Sequence, residues 1–379
     1  MPSYKVCENI VHRRSNIRTF CYEKCVNNCL IYYGFYESFS ECPICKTPRT
    51  DTSNDNTWSF MSPIPLLSQR WNNMKMAKLL NYRVNYNFQP NVIKDVWDST
   101  HIKNLSRRYI TIDGKKLNFK HFEDKRESAL ALATDGVKIF RSQTKSCWPI
   151  FLIDYLVPPQ LRTKKSFIIH LGVILGPSKT KQLFHTFIEP VVDTFKLLQL
   201  GTEVYDRSND EYFLYRGHIT HIIGDTPAIS KLMGLKCTNS IYPCRVCSIK
   251  SRKGPKNTYY PSLQPPLNEA SHNIHYDINN LPIRGHAEWL EILEGLECDG
   301  SCNDLGIKFR SPLLKLSSII VPFSFCIDSM HLILENLVNT LWNQLRGFSH
   351  EVFKDPQVPG NDVLSNDDLK QIEREIVVS

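Results

Sequence analysis

The sequence contains no apolar segment long enough to cross a bilayer. Its longest apolar stretches, such as Ser317 to Ile327, fall short of the roughly 20 residues required. The first residues, Met1 to Arg14, lack the apolar centre of a secretory signal. No internal repeat is visible, and neither sign of charge dominates, since 46 basic and 38 acidic side chains leave a net charge of +8. We therefore expect an intracellular protein without membrane segments, whose modest basic excess permits a polyanionic partner but does not require one.

Thirteen cysteines stand out in a chain of this kind. Because thiols stay reduced inside cells, closely spaced cysteines favour metal binding over disulfides. Cys25 and Cys29 are separated by three residues, and Cys42 and Cys45 by two, which is the spacing of a tetrahedral zinc site with four thiolate ligands. Unrelated buried cysteines are the alternative reading, and Cys21 could replace Cys25.

Hydrophobic patterning predicts strands and helices from residue 128 onward. The predicted strands are Ser128–Thr134, Val137–Phe140, Trp148–Leu156, Phe167–Leu175 and Phe213–Ile223. The predicted helices are Gln69–Tyr82 upstream, Lys181–Leu200 and Pro227–Leu235 within this region, and His331–Leu345 and Asp367–Val377 near the end. Residues 236–310 are rich in Pro, Asn and Gly and are predicted to be irregular.

Two aspartates stand at the ends of predicted strands: Asp135 directly follows the first, and Asp225 follows the last after Gly224. Carboxylates suit Mg²⁺, and a pair of them converges if the two strands are neighbours in one sheet. The ordinary alternative is that Asp135 begins a turn and Asp225 caps a helix. Asp154, which lies within an apolar run, is predicted to be structural.

Cys244 and Cys247 form a second close pair that needs two further zinc ligands. Several downstream residues could supply them, namely His272, His275, His286, Cys298, Cys302, Asp328 and His331. The spacing of Asp328 and His331 places both on one side of a helical turn, although a helix cap beside an ordinary polar residue explains them equally well.

The densest basic run, which follows the second cysteine pair, contains Lys250, Arg252, Lys253 and Lys256. Such a run can contact DNA phosphates or act as a nuclear address, while a solvated loop is its commoner meaning.

Residues 131–247 resemble the transposases of CACTA (En/Spm-like) DNA elements in their fungal form. The motifs that carry the resemblance are Ala133-Thr134-Asp135-Gly136, Trp148-Pro149-Ile150, Tyr155-Leu156-Val157-Pro158-Pro159-Gln160-Leu161-Arg162, Gly176-Pro177-Ser178-Lys179, Gly224-Asp225-Thr226-Pro227-Ala228, Lys231-Leu232-Met233-Gly234 and Cys244-Arg245-Val246-Cys247. The N-terminal cysteines with Pro48-Arg49, and Asp328-Ser329-Met330-His331-Leu332 with Glu335-Asn336-Leu337, extend it over nearly the whole chain.

The resemblance implies an α/β, RNase H-like mixed sheet flanked by helices, with Asp135 and Asp225 as the first two acids of a DDE-type triad that binds Mg²⁺ or Mn²⁺. It further implies that Cys244, Cys247, Asp328 and His331 share a zinc ion within an insertion. The implied chemistry is DNA strand cleavage and strand transfer at transposon ends, in the nucleus and without a membrane partner. A homo-oligomer is compatible with this activity.

The third acid is less clearly marked. Glu335 is a candidate, while no motif selects Glu351, Glu373 or Glu375. We expect the true third acid to lie beyond Ser379, so that the chain is an incomplete transposase. The alternatives are a catalytically inactive, transposon-derived DNA-binding protein and a folded relic without activity.

The expected organisation has five parts. They are a zinc-binding segment and linker (1–57), a helical, DNA-binding region (58–126), the RNase H-like core (127–236), an insertion with the second zinc motif (237–332) and truncated C-terminal helices (333–379).

Overall fold

The computed structural model describes residues 19–49, 56–138, 146–176, 182–236, 240–253, 258–259, 279–298, 305–339, 342–343 and 365. The chain divides into two compact units. The first comprises residues 1–250 and 277–326, and the second comprises residues 251–276 and 327–379. Within the described ranges, no helix has both the length and the apolar character needed to span a membrane.

The first unit is a mixed α/β structure. Its strands are Thr19–Glu23 (β1), Thr57–Met61 (β2), Tyr109–Ile112 (β3), Lys115–Lys120 (β4), Ser128–Thr134 (β5), Val137–Lys138 (β6), Ser146–Asp154 (β7), Ile169–Leu175 (β8), Thr202–Asp206 (β9), Glu211–Tyr215 (β10) and Gly217–Ile223 (β11). Its α-helices are Pro63–Trp71 (α1), Met74–Leu80 (α2), Thr100–Leu105 (α3), Pro159–Arg162 (α4), Phe184–Leu200 (α5), Thr226–Met233 (α6) and His286–Cys298 (α7). Short 3-10 turns occupy Gly34–Tyr36, Val96–Asp98 and Pro312–Lys315.

The central sheet has the order β11-β5-β7, with both β6 and β8 paired to β7. Strand β5 runs antiparallel to β7 and parallel to β11. All seven residues of β5 are buried, which explains why its central residues, Ala129–Ala133, form a continuous apolar run rather than an alternating pattern. The prediction of this strand is confirmed, because burial on both faces leaves a run of apolar residues that is visible in the sequence.

Helix α5 covers the sheet and packs against β11. Its buried side chains include Phe187, Val191, Phe195 and Leu198, which recur at helical spacing along one face. Gly201 ends the helix at φ 103°, a conformation that favours glycine. The observed helix confirms the predicted one from Phe184 to Leu200, whereas Gln182 and Leu183 precede it and Lys181 lies outside the described residues.

The two-stranded sheet of β1 and β2 lies against β8, an edge strand of the central sheet. The Trp58 indole Nε1 donates a hydrogen bond to the carbonyl of Val173 over 3.1 Å. A Cβ atom on Gly172 would lie only 2.8 Å from the carbonyl oxygen of Ser59, so glycine permits this close approach. Covering the edge in this way protects it from pairing with other strands.

Two predicted elements prove to be interrupted. The predicted strand Phe213–Ile223 is two strands, because β10 pairs with β9 in a separate hairpin while β11 joins the central sheet. The predicted helix Gln69–Tyr82 is also two, because the Asn73 side chain accepts hydrogen bonds from the amides of Lys75 and Met76 and starts a new helix.

Two further differences lie near the C-terminal part of the chain. Helix α7 lies within residues 236–310, which were predicted to be irregular. The prediction is wrong for this helix because the Pro and Asn residues around it dominate the composition of the region. In the second unit, strands Arg252–Lys253 (β12) and Thr258–Tyr259 (β13) pair in antiparallel fashion. The helix predicted over His331–Leu345 is observed as a π-helix over Met330–Val338, which is labelled α8. The helix predicted over 367–377 lies outside the described residues.

Asp154 has the structural surroundings that its apolar neighbours predict. It is 2 % exposed, and its Oδ2 lies 3.2 Å from Nη1 of Arg70. Its Oδ1 accepts a hydrogen bond from the amide of Leu156 over 3.0 Å. Burial raises the pKa of Asp154, and the charge of Arg70 opposes that shift. The pair links α1 to the central sheet.

Removing Arg70 should therefore be costly. We expect Arg70→Ala to lower the free energy of unfolding by about 3–5 kcal/mol, because it leaves a buried carboxylate without its partner. Urea denaturation measures the effect. The matched control is Arg310→Ala, which breaks a pair with Glu297 whose side chains are 32 % and 52 % exposed and should cost about 0–1 kcal/mol. Equal losses in the two variants would contradict the assigned role.

Candidate metal centres

Asp135 and Asp225 lie at the same edge of the central sheet. Ala133 of β5 pairs with Ile223 of β11, and each aspartate follows two residues later. Because the strands are parallel neighbours, about 4.8 Å apart, the two aspartates occupy equivalent positions at their carboxyl ends. The strand adjacency that convergence of the two carboxylates requires is therefore present.

A one-residue irregularity sets this alignment. The register between β11 and β5 shifts between Ile219 and His221, which leaves Thr220 as the extra residue. Without that residue, Asp225 would lie one position out of step with Asp135. The carbonyl of Thr220 instead accepts a hydrogen bond from the imidazole of His101 over 3.1 Å.

Each carboxylate uses one oxygen locally. Oδ1 of Asp135 accepts a hydrogen bond from the amide of Gly136 over 2.7 Å. Oδ1 of Asp225 accepts one from the amide of Ala228, also over 2.7 Å, and so caps α6. Within the described part of the chain, neither Oδ2 accepts a hydrogen bond. The turn and cap roles are thus real, and they leave one oxygen of each carboxylate for a cation.

Small residues bring the two strand ends together. A Cβ atom on Gly224 would lie 2.7 Å from the carbonyl oxygen of Thr134, and one on Gly136 would lie 2.8 Å from the ring of Trp148. Lys231 of α6 lies over the same Trp148 ring, with Nζ 3.4 Å from its centroid. Sequence reasoning assigned Lys231 no role, although it brings a positive charge to the ring that packs on the Asp135–Gly136 turn.

The four N-terminal cysteines come together as their spacing predicts. The sulfur atoms of Cys25, Cys29, Cys42 and Cys45 all lie within 4.8 Å of one another, and the first three residues are buried. Tetrahedral zinc with bonds of about 2.3 Å requires sulfur atoms about 3.8 Å apart. Four thiols at these separations fit zinc, so this group could hold one ion. Cys21 is exposed and outside the group.

Two tight turns aim these sulfur atoms inward. Asn28, directly before Cys29, and Lys46, directly after Cys45, both adopt left-handed backbone conformations with φ of 56° and 58°. Burial alone would raise the pKa of Cys45, but its hydrogen bonds with Asn27 and Thr47 outweigh burial and lower the pKa to about 6. A lowered pKa favours the thiolate that zinc binds.

The cysteine cluster is joined to the core of the first unit. The amide of Leu183 donates to the carbonyl of Cys29 over 2.7 Å, and Tyr33 donates its hydroxyl to Asp193 of α5 over 2.7 Å. A metal bound by the cluster would therefore stabilise the start of α5 as well as its own segment.

Cys244 and Cys247 form a knuckle of their own. The amides of Val246 and Cys247 both donate to the sulfur of Cys244 over 3.4 Å. The hydrogen bond with Cys247 lowers the pKa of Cys244 to about 5, and the same interaction raises the pKa of Cys247. Arg284 holds the knuckle by donating to the carbonyl of Cys244 over 2.9 Å.

In the second unit, Asp328, His331 and Glu335 are neighbours around the start of α8. Nδ1 of His331 lies 2.6 Å from Oδ2 of Asp328, and its Nε2 lies 3.9 Å from Oε2 of Glu335. Asp328 also accepts a hydrogen bond from the amide of Met330. This is the geometry of a helix cap, the alternative interpretation of Asp328. A zinc ion shared with the Cys244 knuckle, and a catalytic role for Glu335, stay predictions.

The predicted DNA-contacting run is only partly described. Lys250 is exposed. Arg252 and Lys253 form β12, but their side chains, and the whole of Lys256, lie outside the described residues.

Residues 100–259 match the family model described as "Transposase family tnp2", which is less than half of the chain. The match includes Asp135, Asp225 and the Cys244 knuckle, and it supports a transposase family. The N-terminal cysteine cluster and α8 lie outside it. No match to a curated protein was found.

Zinc analysis tests the N-terminal cluster directly. We expect Cys42→Ser to remove one zinc equivalent from the purified protein and to lower its melting temperature, because a buried ligand is lost. Cys21→Ser is the matched control and should change neither quantity. Elemental analysis with thermal unfolding measures both, and an unchanged zinc content in Cys42→Ser would refute the site.

Proposed function

We propose that this protein is a metal-dependent DNA transposase of the CACTA type that cleaves and joins DNA strands at transposon ends. The observation that carries the proposal is the parallel pairing of β5 and β11, with Asp135 and Asp225 at matching positions on one edge. The match to a transposase family over the same residues supports it. Action on DNA implies a nuclear location, and several copies of the chain are expected to act together.

The proposed core is RNase H-like. A buried central strand, parallel to one neighbour and antiparallel to the other, with a helix against the sheet, supports this assignment. The two acids follow the ends of adjacent parallel strands, and each carboxylate is held by a backbone amide, that of Gly136 or of Ala228. Catalysis would then rest on positioning, since the sheet fixes both carboxylates before DNA binds.

The two carboxylates would hold Mg²⁺ or Mn²⁺ through their unused Oδ2 atoms. A hard cation with oxygen ligands suits this donor set. When bound there, the metal supplies Lewis-acid stabilisation of the attacking and leaving oxygens during phosphoryl transfer. Asp225 orients its carboxylate through the Ala228 amide, and Asp135 does so through the Gly136 amide. The third ligand of the proposed triad, for which Glu335 is the candidate in this chain, is a separate prediction.

Asparagine substitutions test the proposed acids with little structural disturbance. We expect Asp135→Asn and Asp225→Asn each to reduce Mg²⁺-dependent cleavage of DNA carrying the element's terminal repeats at least about a hundredfold, because several kcal/mol of metal-derived stabilisation is lost. Asparagine preserves the helix cap at 225. Electrophoresis of end-labelled DNA measures the rate.

Asp113→Asn is the matched control, since Asp113 is 68 % exposed and lies in the β3–β4 turn. It should retain full activity. Cleavage that survives both active-site substitutions would contradict the proposal. Salt-dependent DNA binding by the unmodified chain, without cleavage in Mg²⁺ or Mn²⁺, would instead favour the inactive DNA-binding protein.

A further inference from the structure

A cavity of about 440 Å³ lies beside α3, away from the aspartate pair. Its walls include Thr100, His101, Asn104, Arg108, Ile320 and Phe323. Phe323 is 63 % exposed, whereas most large apolar residues described in the first unit are buried. The volume is within the range of small-ligand sites. The lining is mostly apolar, with Leu105 and Ile320 beside Phe323, and it also presents an amide, an imidazole and a guanidinium.

Two lysines surround the ring of the residue that follows Arg108 of the cavity wall. Arg108 directly precedes Tyr109 of β3. The Nζ atoms of Lys116 and Lys120 lie 4.3 and 5.3 Å from the centroid of the Tyr109 ring. Tyr109 is itself 40 % exposed. Among the described residues, none of these three cations forms a salt bridge with a carboxylate. The nearby Glu123 instead accepts a hydrogen bond from the backbone amide of Lys120.

Unpaired cations interleaved with aromatic rings suit a nucleic-acid strand. Lysine and arginine neutralise phosphates, and an exposed ring stacks on a base whatever its identity. The Asn104 amide carries both donors and acceptors, which a base edge needs. Because the carbonyl of Thr220 can only accept, Nε2 of His101 is its donor. Burial lowers the pKa of His101, so the neutral ring offers Nδ1 as an acceptor.

A hydrogen bond connects the cavity wall to β11, the strand that leads to Asp225. His101 is bound to Thr220, the extra residue that sets the register of β11, and Ser324 Oγ lies 3.3 Å from the same ring nitrogen. Asp225 lies five positions after Thr220, two of them beyond the end of β11, and five steps of extended chain at ~3.3 Å each correspond to about 16 Å. That length equals about five base steps of DNA at 3.4 Å each.

We propose that the cavity between α3 and Phe323 binds one unpaired nucleotide of the DNA substrate, a few nucleotides from the cleaved phosphodiester. Phe323 stacks on the base, Asn104 and His101 bind its edge, and Arg108 with Lys116 and Lys120 contacts the backbone phosphates. The location relative to the cleaved bond rests on the proposed function, whereas nucleotide binding itself does not.

A fluorescent single strand tests nucleotide binding. The probe is a 20-nucleotide, mixed-sequence DNA strand containing 2-aminopurine, titrated without added divalent cation. We expect the unmodified protein to quench 2-aminopurine by stacking. Phe323→Ala should abolish that quenching and weaken single-strand binding at least fivefold, while affinity for the matching duplex changes less. Arg108→Ala should reduce the slope of log affinity against log salt by about one.

Matched variants separate this site from general effects. Tyr212→Ala removes an aromatic ring that is 69 % exposed on β10, and Lys164→Ala removes an exposed cation after α4. Both should bind the probe normally, and Phe323→Tyr should restore the quenching lost in Phe323→Ala. Unchanged quenching in Phe323→Ala, or an equal loss in Tyr212→Ala, would overturn the proposal.

Failure of the two proposals is distinguishable. If the protein cleaves DNA with full dependence on Asp135 and Asp225 while Phe323→Ala binds and quenches normally, the nucleotide site alone is wrong. If the protein stacks the probe through Phe323 but never cleaves DNA, the nucleotide site stands and the transposase activity does not.

Discussion

The parallel hydrogen bonding between β5 and β11 is the constraint on which the rest of the first unit depends. Parallel neighbours cannot be joined by a short turn, so the chain needs a long connection between them. Here that connection contains β7, β8 and α5, which supply the antiparallel half of the sheet and the helix that covers it. The pairing places two carboxyl ends side by side, and an aspartate follows each.

The extra residue in β11 links several features that are far apart in sequence. Thr220 shifts the register so that Asp225 is level with Asp135, and its carbonyl binds His101 of α3. The segment Ser324–Cys326 then pairs with Ile222 on the outer side of β11. A single irregularity thus sets the register of the two aspartates and provides the carbonyl that binds His101, a residue of the cavity wall.

Sequence reasoning predicted what local signals specify. The uniform burial of β5 and the helical spacing in α5 gave both elements nearly to the residue, and two pairs of cysteines with close spacing identified a cluster whose sulfur atoms do meet. It could not predict that β5 and β11 are neighbours, since that depends on long-range pairing. The resemblance to a transposase family supplied the expectation that the two aspartates act together.

Three features of the structure could not be predicted from local sequence patterns: the break between β10 and β11, the register shift at Thr220 and the cavity beside Phe323. The break between β10 and β11 depends on which strand pairs with which, and the register shift at Thr220 depends on hydrogen bonds to β5 and α3. The cavity draws its lining from segments more than 200 residues apart, so neither Asn104 nor Phe323 stands out alone. Local sequence patterns predict individual helices and strands, whereas a cavity lined by distant segments depends on how those segments pack together.

The proposal that Asp135 and Asp225 bind one divalent metal centre can be tested by metal-directed cleavage of the polypeptide. Replacing Mg²⁺ by Fe²⁺ and adding ascorbate and peroxide generates hydroxyl radicals that cut the polypeptide beside the bound ion. Mass spectrometry of the fragments should show cuts close to both Asp135 and Asp225, suppressed by excess Mg²⁺ and absent in Asp225→Asn. Cuts near only one aspartate, or none suppressed by Mg²⁺, would contradict a shared centre.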